Sequence, residues 1–230
     1  MAEPRPVGSE VPTHSARRPE ARKLEGRFVT LVPLMAEHAD DLFAVVGGPE
    51  NAWAWDYMPD GPFLEPEPFR QHIASKARLE DPLFFAILDN GTGRAVGHAT
   101  LMRVDAANRV IETGNIMFSP TMQKTPGATE SMYLLARHVF DDLGYRRYEW
   151  KCNDLNAPSK RAAERLGFTY EGTFRQHMIV KGRNRNTAWF SMLDSEWPRI
   201  KAAFLGWLAP ENFDNQGRQR LSLAALRQNG

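Results

Sequence analysis

The sequence predicts an α+β fold, in which a twisted mixed sheet of six to seven strands is flanked by about four helices. Short apolar segments alternate with segments whose apolar residues recur at helical spacing. The turn sequence at 89–93, Asp-Asn-Gly-Thr-Gly, separates two strand-like segments and predicts a hairpin. Gly144 and Gly167 follow two helix-like segments, where glycine commonly ends a helix. The segment order β-α-α-β-β-β-α-β-α-β-β predicts a sheet that begins largely antiparallel.

In the first half of the chain, residues 24–33 are expected to form a strand that stops at Pro33. A helix is predicted over 36–46, where Leu42, Phe43 and Val46 have helical spacing. A second helix, over 66–78, has Glu65 near its start. Three consecutive strands are then predicted over 83–88, 95–104 and 110–118.

In the second half, helices and strands alternate before a final hairpin. The predicted elements are a helix over 129–143, a strand over 145–151, a helix over 158–166, strands over 169–180 and 187–193, and an amphipathic helix over 196–205. The strand-rich order around these two helices is what makes the predicted sheet mixed rather than wholly antiparallel.

The chain is expected to comprise one folded domain with two extensions. Residues 1–22 are rich in Pro, Arg, Glu and Ser and have almost no large apolar residues, so they are predicted to be a disordered arm. Residues 23–206 form the predicted domain. Residues 207–230 form a predicted tail that is partly helical, with an apolar patch at 221–226 that would dock.

Composition argues against several classes of partner. The net charge is +1, which gives no electrostatic footprint of a nucleic-acid binder. No apolar run approaches the ~20 residues that span a membrane, and no signal-peptide core is present, so we expect no membrane partner and a cytoplasmic location. The single cysteine, Cys152, is expected to be a small core residue rather than a nucleophile. His98, His138 and His177 lack metal-ligand spacing, so we expect no metal.

Residues 123–129, Gln-Lys-Thr-Pro-Gly-Ala-Thr, join a predicted strand to a predicted helix. A turn of this kind presents backbone N–H groups to an anion at the helix N-terminus. The amides expected to share phosphate groups are those of Lys124, Thr125, Gly127, Ala128 and Thr129. Pro126 has no N–H but suits the first turn of a helix, with Thr125 as its cap. The alternative is a capped helix that binds no ligand.

A second motif, Asn156-Ala-Pro-Ser159, precedes a helix that ends at Gly167-Phe168. From the residues alone, Asn156 or Pro158 starts this helix and Ser159 satisfies local backbone groups.

Together, the two motifs resemble the coenzyme-binding core of the GCN5-related N-acetyltransferases, the GNAT superfamily, and in particular its ribosomal-protein-alanine (RimJ/RimL-type) branch. Gln123 and Ala128 match the family signature Arg/Gln-x-x-Gly-x-Gly/Ala, whereas Pro126 stands at a usual glycine position. The resemblance covers roughly 24–197 and implies the acyl-CoA N-acyltransferase fold with acetyl-CoA as co-substrate. It also implies that Asn156 holds the pantetheine arm and that Ser159 donates a proton to the departing thiolate.

The same resemblance implies that strand 110–118 separates from strand 145–151 and that the pantetheine fills the opening, pairing with the backbone of Met117 and Phe118. Backbone N–H groups of residues 115–118 would then hold the carbonyl oxygen. Independently, attack by an amine requires a base that removes its proton. Glu112, two residues before Gly114, is the candidate. The alternative for Glu112 is exposure to solvent or pairing with an arginine.

Trp53, Trp55 and Tyr57 lie in a loop rich in Pro and Gly and are the candidates for binding the acceptor. A core position is the alternative for these rings. The basic loop 181–186 could bind an acidic acceptor or the 3′-phosphate of the coenzyme, or could be a solvated hairpin tip.

The main hypothesis is therefore an acetyl-CoA-dependent N-acetyltransferase that acts by direct attack in a ternary complex. Its acceptor would be a primary amine of a small molecule or amino-acid-like substrate. The alternatives are a protein N-terminal acetyltransferase of RimJ/RimL type, a non-catalytic acyl-CoA-binding sensor, and an acetyltransferase guided to nucleic acid by the basic N-terminal arm. A homodimer is expected.

Overall fold

A computed structural model describes residues 5–228, which form one eight-stranded sheet. Its strands are β1 (Leu24–Glu25), β2 (Val29–Pro33), β3 (Leu83–Asp89), β4 (Ala95–Asp105), β5 (Val110–Phe118), β6 (Arg147–Asn153), β7 (Thr169–Val180) and β8 (Arg183–Leu193). They lie in the order β1-β2-β3-β4-β5-β6-β8-β7. The pair β5–β6 is parallel and the other neighbouring pairs are antiparallel.

Six α-helices lie within the same described residues. They are α1 (Ala39–Val46), α2 (Pro66–Lys76), α3 (Pro126–Arg137), α4 (Ala157–Leu166), α5 (Trp197–Leu208) and α6 (Leu223–Gln228). A π-helical segment, His138–Asp142, extends α3. Short 3₁₀ helices occupy Ala36–His38, Pro49–Trp55 and Pro210–Asn212. None of the helices described between residues 5 and 228 combines the length and apolar character needed to cross a bilayer.

The predicted α+β class is confirmed, but the sheet has eight strands rather than six to seven. The additional strand arises because the predicted strand 24–33 is two strands, β1 and β2, joined by a tight turn at Gly26. The N–H of Gly26 donates to the carbonyl oxygen of Val29 at 3.0 Å. A Cβ atom at Gly26 would lie 2.6 Å from the Glu130 carboxylate, so the close approach of α3 requires glycine here.

Several further boundaries differ from the prediction, and two of them bear on the site. The expected loop 181–186 is a two-residue turn at Lys181 and Gly182, whose φ angles are 50° and 69°, and β8 begins directly after it at Arg183. Such left-handed turns match the twist of the flanking strands, so the basic residues continue the hairpin. Helix α3 begins at Pro126, three residues earlier than predicted, because Thr125 caps it.

Alternate residues of β3 face two different cores. Phe85 and Ile87 contribute to the larger core, which α3, α4 and α5 cover on one face of the sheet. Phe84 and Ala86 contribute to a smaller core beneath α1 and α2 on the opposite face. This alternation is the period-two pattern of a strand that is buried on both faces.

The strand register shows which side chains lie beyond β4 on the sheet face that α1 and α2 cover, here called the α1–α2 face. Phe84 of the smaller core pairs with Thr100, and Thr100 pairs with Gly114. Glu112, two residues before Gly114, therefore lies on the same face. Continuing across β6 and β8, the paired residues on this face are Glu149, Lys151, Ser191, Trp189 and Thr187. The smaller core includes no residue of β6 or β8, and apart from Trp189 the paired residues on that half of the face are polar or charged.

The parallel pairing of β5 and β6 is short. It runs from Val110 beside Arg147 to Thr113 beside Trp150 and ends there. Asn115 then adopts a left-handed conformation with φ 46°, and the register with β4 shifts at this point. Such a bulge bends a strand away from its neighbour. The separation of the two strands that the family resemblance implied is therefore present.

Both extensions contact the domain. Residues 5–23 contain no helix or strand, yet Ala16 and Arg17 donate backbone hydrogen bonds to the carbonyl oxygens of Ala106 and Leu143. Helix α5 continues to Leu208, past the predicted domain boundary, and the buried Leu223 of α6 joins the larger core. Residues 1–4 of the predicted arm and 229–230 of the predicted tail lie outside the described residues.

Glu130 on α3 connects this helix to the first strands. Its side chain is 5% exposed, and its carboxylate accepts the backbone N–H groups of Arg27 at 2.8 Å, Phe28 at 2.6 Å and Val29 at 2.9 Å. Hydrogen bonds to an ionised acceptor are stronger than neutral ones. The contact fixes the position of α3, and hence of the turn that precedes it, against the edge of the sheet.

Replacing Glu130 with alanine should lower the free energy of unfolding by about 1–3 kcal/mol, because three backbone donors lose their acceptor. The measurement is urea denaturation followed by circular dichroism. The control is Glu164→Ala on α4, where the glutamate is exposed, and a change within about 0.5 kcal/mol is expected there. Equal destabilisation by the two substitutions would contradict a special role for Glu130.

Candidate functional site

The turn before α3 is built around Thr125. Its Oγ1 accepts the N–H of Ala128 at 3.3 Å and donates to the carbonyl oxygen of Met122 at 2.7 Å. Pro126 occupies the first helical position, where a missing N–H costs no helical hydrogen bond. Lys124 has a left-handed backbone, with φ 64°, which reverses the chain before the helix. Residues 122–128 thus form a capped helix N-terminus in which Pro126 takes the first helical position.

Two of the five predicted phosphate-binding amides remain free of partners. The N–H of Thr125 donates to Met122, and that of Ala128 is used by the cap. Within residues 5–228, the amides of Lys124 and Gly127 have no hydrogen-bond acceptor. Thr129 is the fourth residue of α3, so its N–H is placed to donate to the carbonyl oxygen of the cap residue Thr125 as the first hydrogen bond of the helix. The turn therefore offers fewer amides than the sequence suggested, but it offers them at a helix N-terminus, where the helix dipole also favours an anion.

The end of β5 is tied to the same turn. Gln123 Nε2 donates to the carbonyl oxygen of Phe118 at 3.1 Å, and the N–H of Gln123 donates to Ser119. The side chain of Met117 is buried in the smaller core, so Met117 offers a ligand its backbone only. Beside the turn, an open cavity of about 680 Å³ is lined by Arg27, Asn90, Gly127 and neighbouring residues.

The second motif starts α4 with Asn156 as its cap, as the residues alone predicted, but the Ser159 hydroxyl contacts a side chain rather than local backbone. Asn156 Oδ1 accepts the N–H of Ser159 at 3.1 Å, which caps the helix. The Ser159 hydroxyl oxygen accepts from Trp150 Nε1 at 3.0 Å. Because the oxygen is engaged as an acceptor, the hydroxyl proton remains available to donate. Cys152 is buried nearby, and burial raises the pKa of its thiol, which argues against a nucleophilic thiolate.

Glu112 lies at the centre of a group of charges on the α1–α2 face of the sheet. It is 5% exposed, and its Oε2 lies 2.8 Å from Lys151 Nζ and 3.4 Å from Arg103 Nε. Burial raises the pKa of Glu112, and the positive charges of Lys151 and Arg103 oppose that rise. A carboxylate with a raised pKa is a better proton acceptor than an ordinary glutamate.

The charges continue along β6 as a ladder of opposite signs. Lys151 Nζ also lies 2.7 Å from Glu149, whose other oxygen accepts from Arg147 Nε at 2.7 Å. Arg147 then binds the Glu171 carboxylate with both terminal nitrogens. Hydrogen bonding from Arg147 lowers the pKa of Glu171 to about 2. We define this set, from Arg103 through Glu112, Lys151, Glu149 and Arg147 to Glu171, as the charge ladder.

The aromatic loop reaches the same end of the sheet. Tyr57 OH donates to the carbonyl oxygen of Leu155 in the β6–α4 turn at 3.2 Å. Lys181 Nζ, at the tip of the β7–β8 hairpin, donates to the carbonyl oxygen of Trp55 at 2.8 Å. Three segments that are distant in sequence therefore meet near the point where β5 and β6 have separated.

The three predicted acceptor-binding rings do not share one environment. Trp53 is 55% exposed and Tyr57 is 40% exposed, so both are available to a ligand. Trp55 is only 1% exposed and packs edge-on against Phe63 and Phe69 in the smaller core. Trp55 is thus a core residue, because the short 3₁₀ helix turns its ring inward.

Sequence reasoning missed Lys151 and Trp189. Lys151 Nζ lies 3.9 Å from the centre of the Trp189 ring, and Phe174 stacks near the same ring at 4.5 Å. A signal was present: on β6, charged residues at 147, 149 and 151 alternate with Tyr148, Trp150 and Cys152. In a central strand, such alternation places charges on a sheet face, where they need partners.

Within residues 5–228, no group of three His, Cys, Asp or Glu side chains is placed to hold a metal ion.

Comparison with known proteins agrees with this geometry. A family model described as an acetyltransferase (GNAT) domain matches residues 29–169. The chain is similar to a crystal structure of a GCN5-related N-acetyltransferase from Brucella melitensis, with 48% identity and a TM-score of 0.91 over 94% of this chain and 98% of that one. A probable acetyltransferase of the GNAT family from Chromobacterium violaceum has 37% identity and a TM-score of 0.76, over 84% of this chain and 98% of that one.

A more distant structure shares the fold alone. It is of a putative ribosomal-protein-serine acetyltransferase from Vibrio cholerae, with 18% identity and a TM-score of 0.63 over 75% of this chain and 97% of that one. A search of curated proteins found no match. Since the domain model spans more than half of the 230 residues, and a 48% identical structure covers 94% of them, the chain belongs to the GNAT family of acetyltransferases.

Proposed function

We propose that this protein transfers the acetyl group of acetyl-CoA to the primary amine of a small, amino-acid-like molecule by direct attack in a ternary complex. The observation that carries the proposal is the separation of β5 from β6 beyond Thr113 and Trp150. One end of the opening lies near the free amides of the turn before α3, and Glu112 lies on the sheet face beside it.

The residues present suit an acyl-coenzyme. The free amides of Lys124 and Gly127 at the start of α3 would hold the pyrophosphate. The backbone of Asn115–Phe118, unpaired on the β6 side, would pair with the pantetheine arm as an added strand does. When bound, the coenzyme supplies an acetyl thioester whose C–S bond breaks as the new C–N bond forms.

Glu112 is proposed as the base that accepts the proton of the attacking amine, directly or through a water molecule. The free amine attacks, but the α-amino group of a polypeptide has a pKa near ~8 and an alkyl amine such as that of lysine one near ~10.4, so a primary amine is largely protonated at neutral pH. Burial raises the pKa of Glu112 and so narrows the gap between the donor and the acceptor of this proton. Lys151 holds the carboxylate in a fixed orientation at 2.8 Å.

Ser159 is proposed to protonate the departing thiolate. Its hydroxyl oxygen is engaged by Trp150 and its backbone N–H by Asn156, so the side chain has a defined rotamer with a proton free to donate. This assigns Asn156 the task of positioning the start of α4 beside the opening. The backbone N–H groups of Asn115–Phe118 would hold the carbonyl oxygen as negative charge develops on it.

Trp53 and Tyr57 are proposed to contact the acceptor from the side opposite the sheet. Both are exposed, and hydrogen bonds link their loop to the β6–α4 turn and the β7–β8 hairpin. Rings held in this way form a wall at low entropic cost.

A charge placed at the turn before α3 should block coenzyme binding. Ala128→Glu adds a carboxylate in the first turn of α3, where the helix dipole favours a negative charge, so the helix itself should be retained. The affinity for acetyl-CoA, measured by calorimetric titration, should fall at least about tenfold, because like charges near the phosphates repel. Ala128→Gln has the same size without the charge and should bind normally. Equal affinities for the two variants would contradict phosphate binding at this turn.

Glu112→Gln should lower kcat by about 10²–10⁴-fold, as expected for loss of a general base. Acetyl-CoA should still bind with its original affinity, since Glu112 lies away from the turn before α3. The measurement is a steady-state assay of free CoA thiol release, with coenzyme binding measured in parallel. Unchanged turnover would remove Glu112 from the mechanism, whereas an inactive wild-type protein that binds acetyl-CoA would favour a sensor.

The acidic limb of the kcat–pH profile should move when Arg103 is replaced. Arg103 lies 3.4 Å from Glu112, and its charge lowers the pKa of that carboxylate. In Arg103→Asn this positive charge is absent, so the pKa of Glu112 rises. As the pH falls, Glu112 is then protonated, and activity is lost, at a higher pH than in the wild-type protein. The shift should be about 0.2–0.7 of a unit, since a half-exposed ion pair contributes about 0.2–1 kcal/mol.

Arg109→Asn is the matched control for the pH profile. Arg109 has a similar left-handed backbone, with φ 56° against 52° at Arg103, and asparagine tolerates that conformation. It lies in the β4–β5 turn and makes no salt bridge with Glu112. A shift of the same size in both variants would mean that Arg103 does not act through Glu112.

A further inference from the structure

Arg185 is a cation that the charge ladder leaves without a partner. The ladder itself alternates three cations with three carboxylates and is neutral as a whole. Arg185 lies on β8 and pairs with Met178 across the β7–β8 hairpin. Its Nε is buried and has no hydrogen-bond partner among the described residues. Its side chain lies close enough to Glu112 and Arg103 for their charges to interact.

A second unused donor lies on the same face of the same strand. Trp189 Nε1 is buried and likewise has no hydrogen-bond partner within residues 5–228. Arg185, Thr187 and Trp189 alternate along β8, so their side chains project from one face. A buried donor without an acceptor is unfavourable. The two unpaired donors, Arg185 Nε and Trp189 Nε1, therefore indicate a binding site in which a ligand supplies acceptor oxygens.

The neighbouring side chains leave this place positively charged. His177 Nδ1 and Thr187 Oγ1 are 3.0 Å apart, and the His177 ring lies 6.1 Å from that of Trp189. Burial and the nearby charges of Arg103, Arg185 and Lys151 lower the pKa of His177, so its ring is neutral at neutral pH. The uncompensated charge is therefore that of Arg185, and an anion is the complementary ligand.

We propose that Arg185 forms a carboxylate-binding subsite of the acceptor pocket, and that the acceptor is a primary amine with a carboxylate on an adjacent carbon, as in a free amino acid. This inference rests on the proposed acetyl transfer. An arginine guanidinium binds a carboxylate with two parallel hydrogen bonds. A protein N-terminus has a neutral amide carbonyl at the same distance from its amine and would leave Arg185 uncompensated.

The test compares free L-amino acids, their C-terminal carboxamides and short peptides as acceptors, with release of CoA thiol as the measurement. The wild-type protein should favour carboxylates over the matching carboxamides in kcat/KM by about tenfold or more, the effect of a charged hydrogen-bonded pair. Arg185→Gln should raise KM for the carboxylates by a similar factor, leave kcat within about twofold, and abolish the preference. Arg185→Lys keeps the charge without the planar fork and should give an intermediate KM.

Arg183→Gln is the matched control, because Arg183 lies two residues earlier on β8 and is exposed. It should retain the wild-type preference, and circular dichroism should show the same fold for all variants. Equal use of carboxamides or peptides by the wild-type protein would overturn the inference while leaving acetyl transfer intact. Acetyl-CoA binding without acetylation of any free amino acid would overturn it as well. Failure to bind acetyl-CoA would instead reject the proposed function itself.

Discussion

The separation of β5 from β6 is the constraint on which the rest of the site depends. Four residue pairs, from Val110–Arg147 to Thr113–Trp150, hold the strands together, and the left-handed Asn115 then bends β5 away. Parallel strands that diverge leave backbone groups exposed on their facing edges, and such groups need partners. The turn before α3, the start of α4 and Glu112 all lie around this opening. The bulge therefore determines where the proposed coenzyme site opens and which side chains border it.

The charge ladder makes part of the α1–α2 face of the sheet polar, and the pairing of its charges limits the cost in folding free energy. Burying a single ion is costly, but each member of the ladder has a partner of opposite sign within hydrogen-bonding or salt-bridge distance. On this face, apolar residues lie beneath α1 and α2, and charged residues lie on the part of the sheet where the acceptor is proposed to bind. Lys151 and Arg103 thus favour the ionised form of the buried Glu112, against the rise in its pKa that burial causes.

The sequence predicted the elements more reliably than the contacts between them. Glycine stops at 144 and 167 and the turn at 89–93 located most helices and strands, because these signals are local. The division into β1 and β2 was missed, since it depends on Glu130, more than a hundred residues away. The ladder was missed for a similar reason. The partners of Lys151 and Glu149 can be identified only once β6 is known to lie between β5 and β8. Trp55 and Trp53 look alike in sequence, and only the direction of a 3₁₀ turn separates them.

The charges around the proposed acceptor pocket also constrain when an amine can react. The proposed acceptor, an amino acid, would arrive as a zwitterion, with an ammonium suited to Glu112 and a carboxylate suited to Arg185, so its binding would add no net charge to the site. Once the amine has lost its proton to Glu112, the ammonium and the Glu112 anion disappear together, and the pair of Arg185 with the carboxylate remains balanced. Protonation of Glu112 removes one partner from Lys151 and from Arg103, but Lys151 keeps Glu149 at 2.7 Å and the Arg103 side chain is half exposed, so neither charge is both buried and unpaired. A simple amine lacks the carboxylate and would leave Arg185 unpaired throughout. The same electrostatic requirement therefore governs both recognition of the acceptor and its activation.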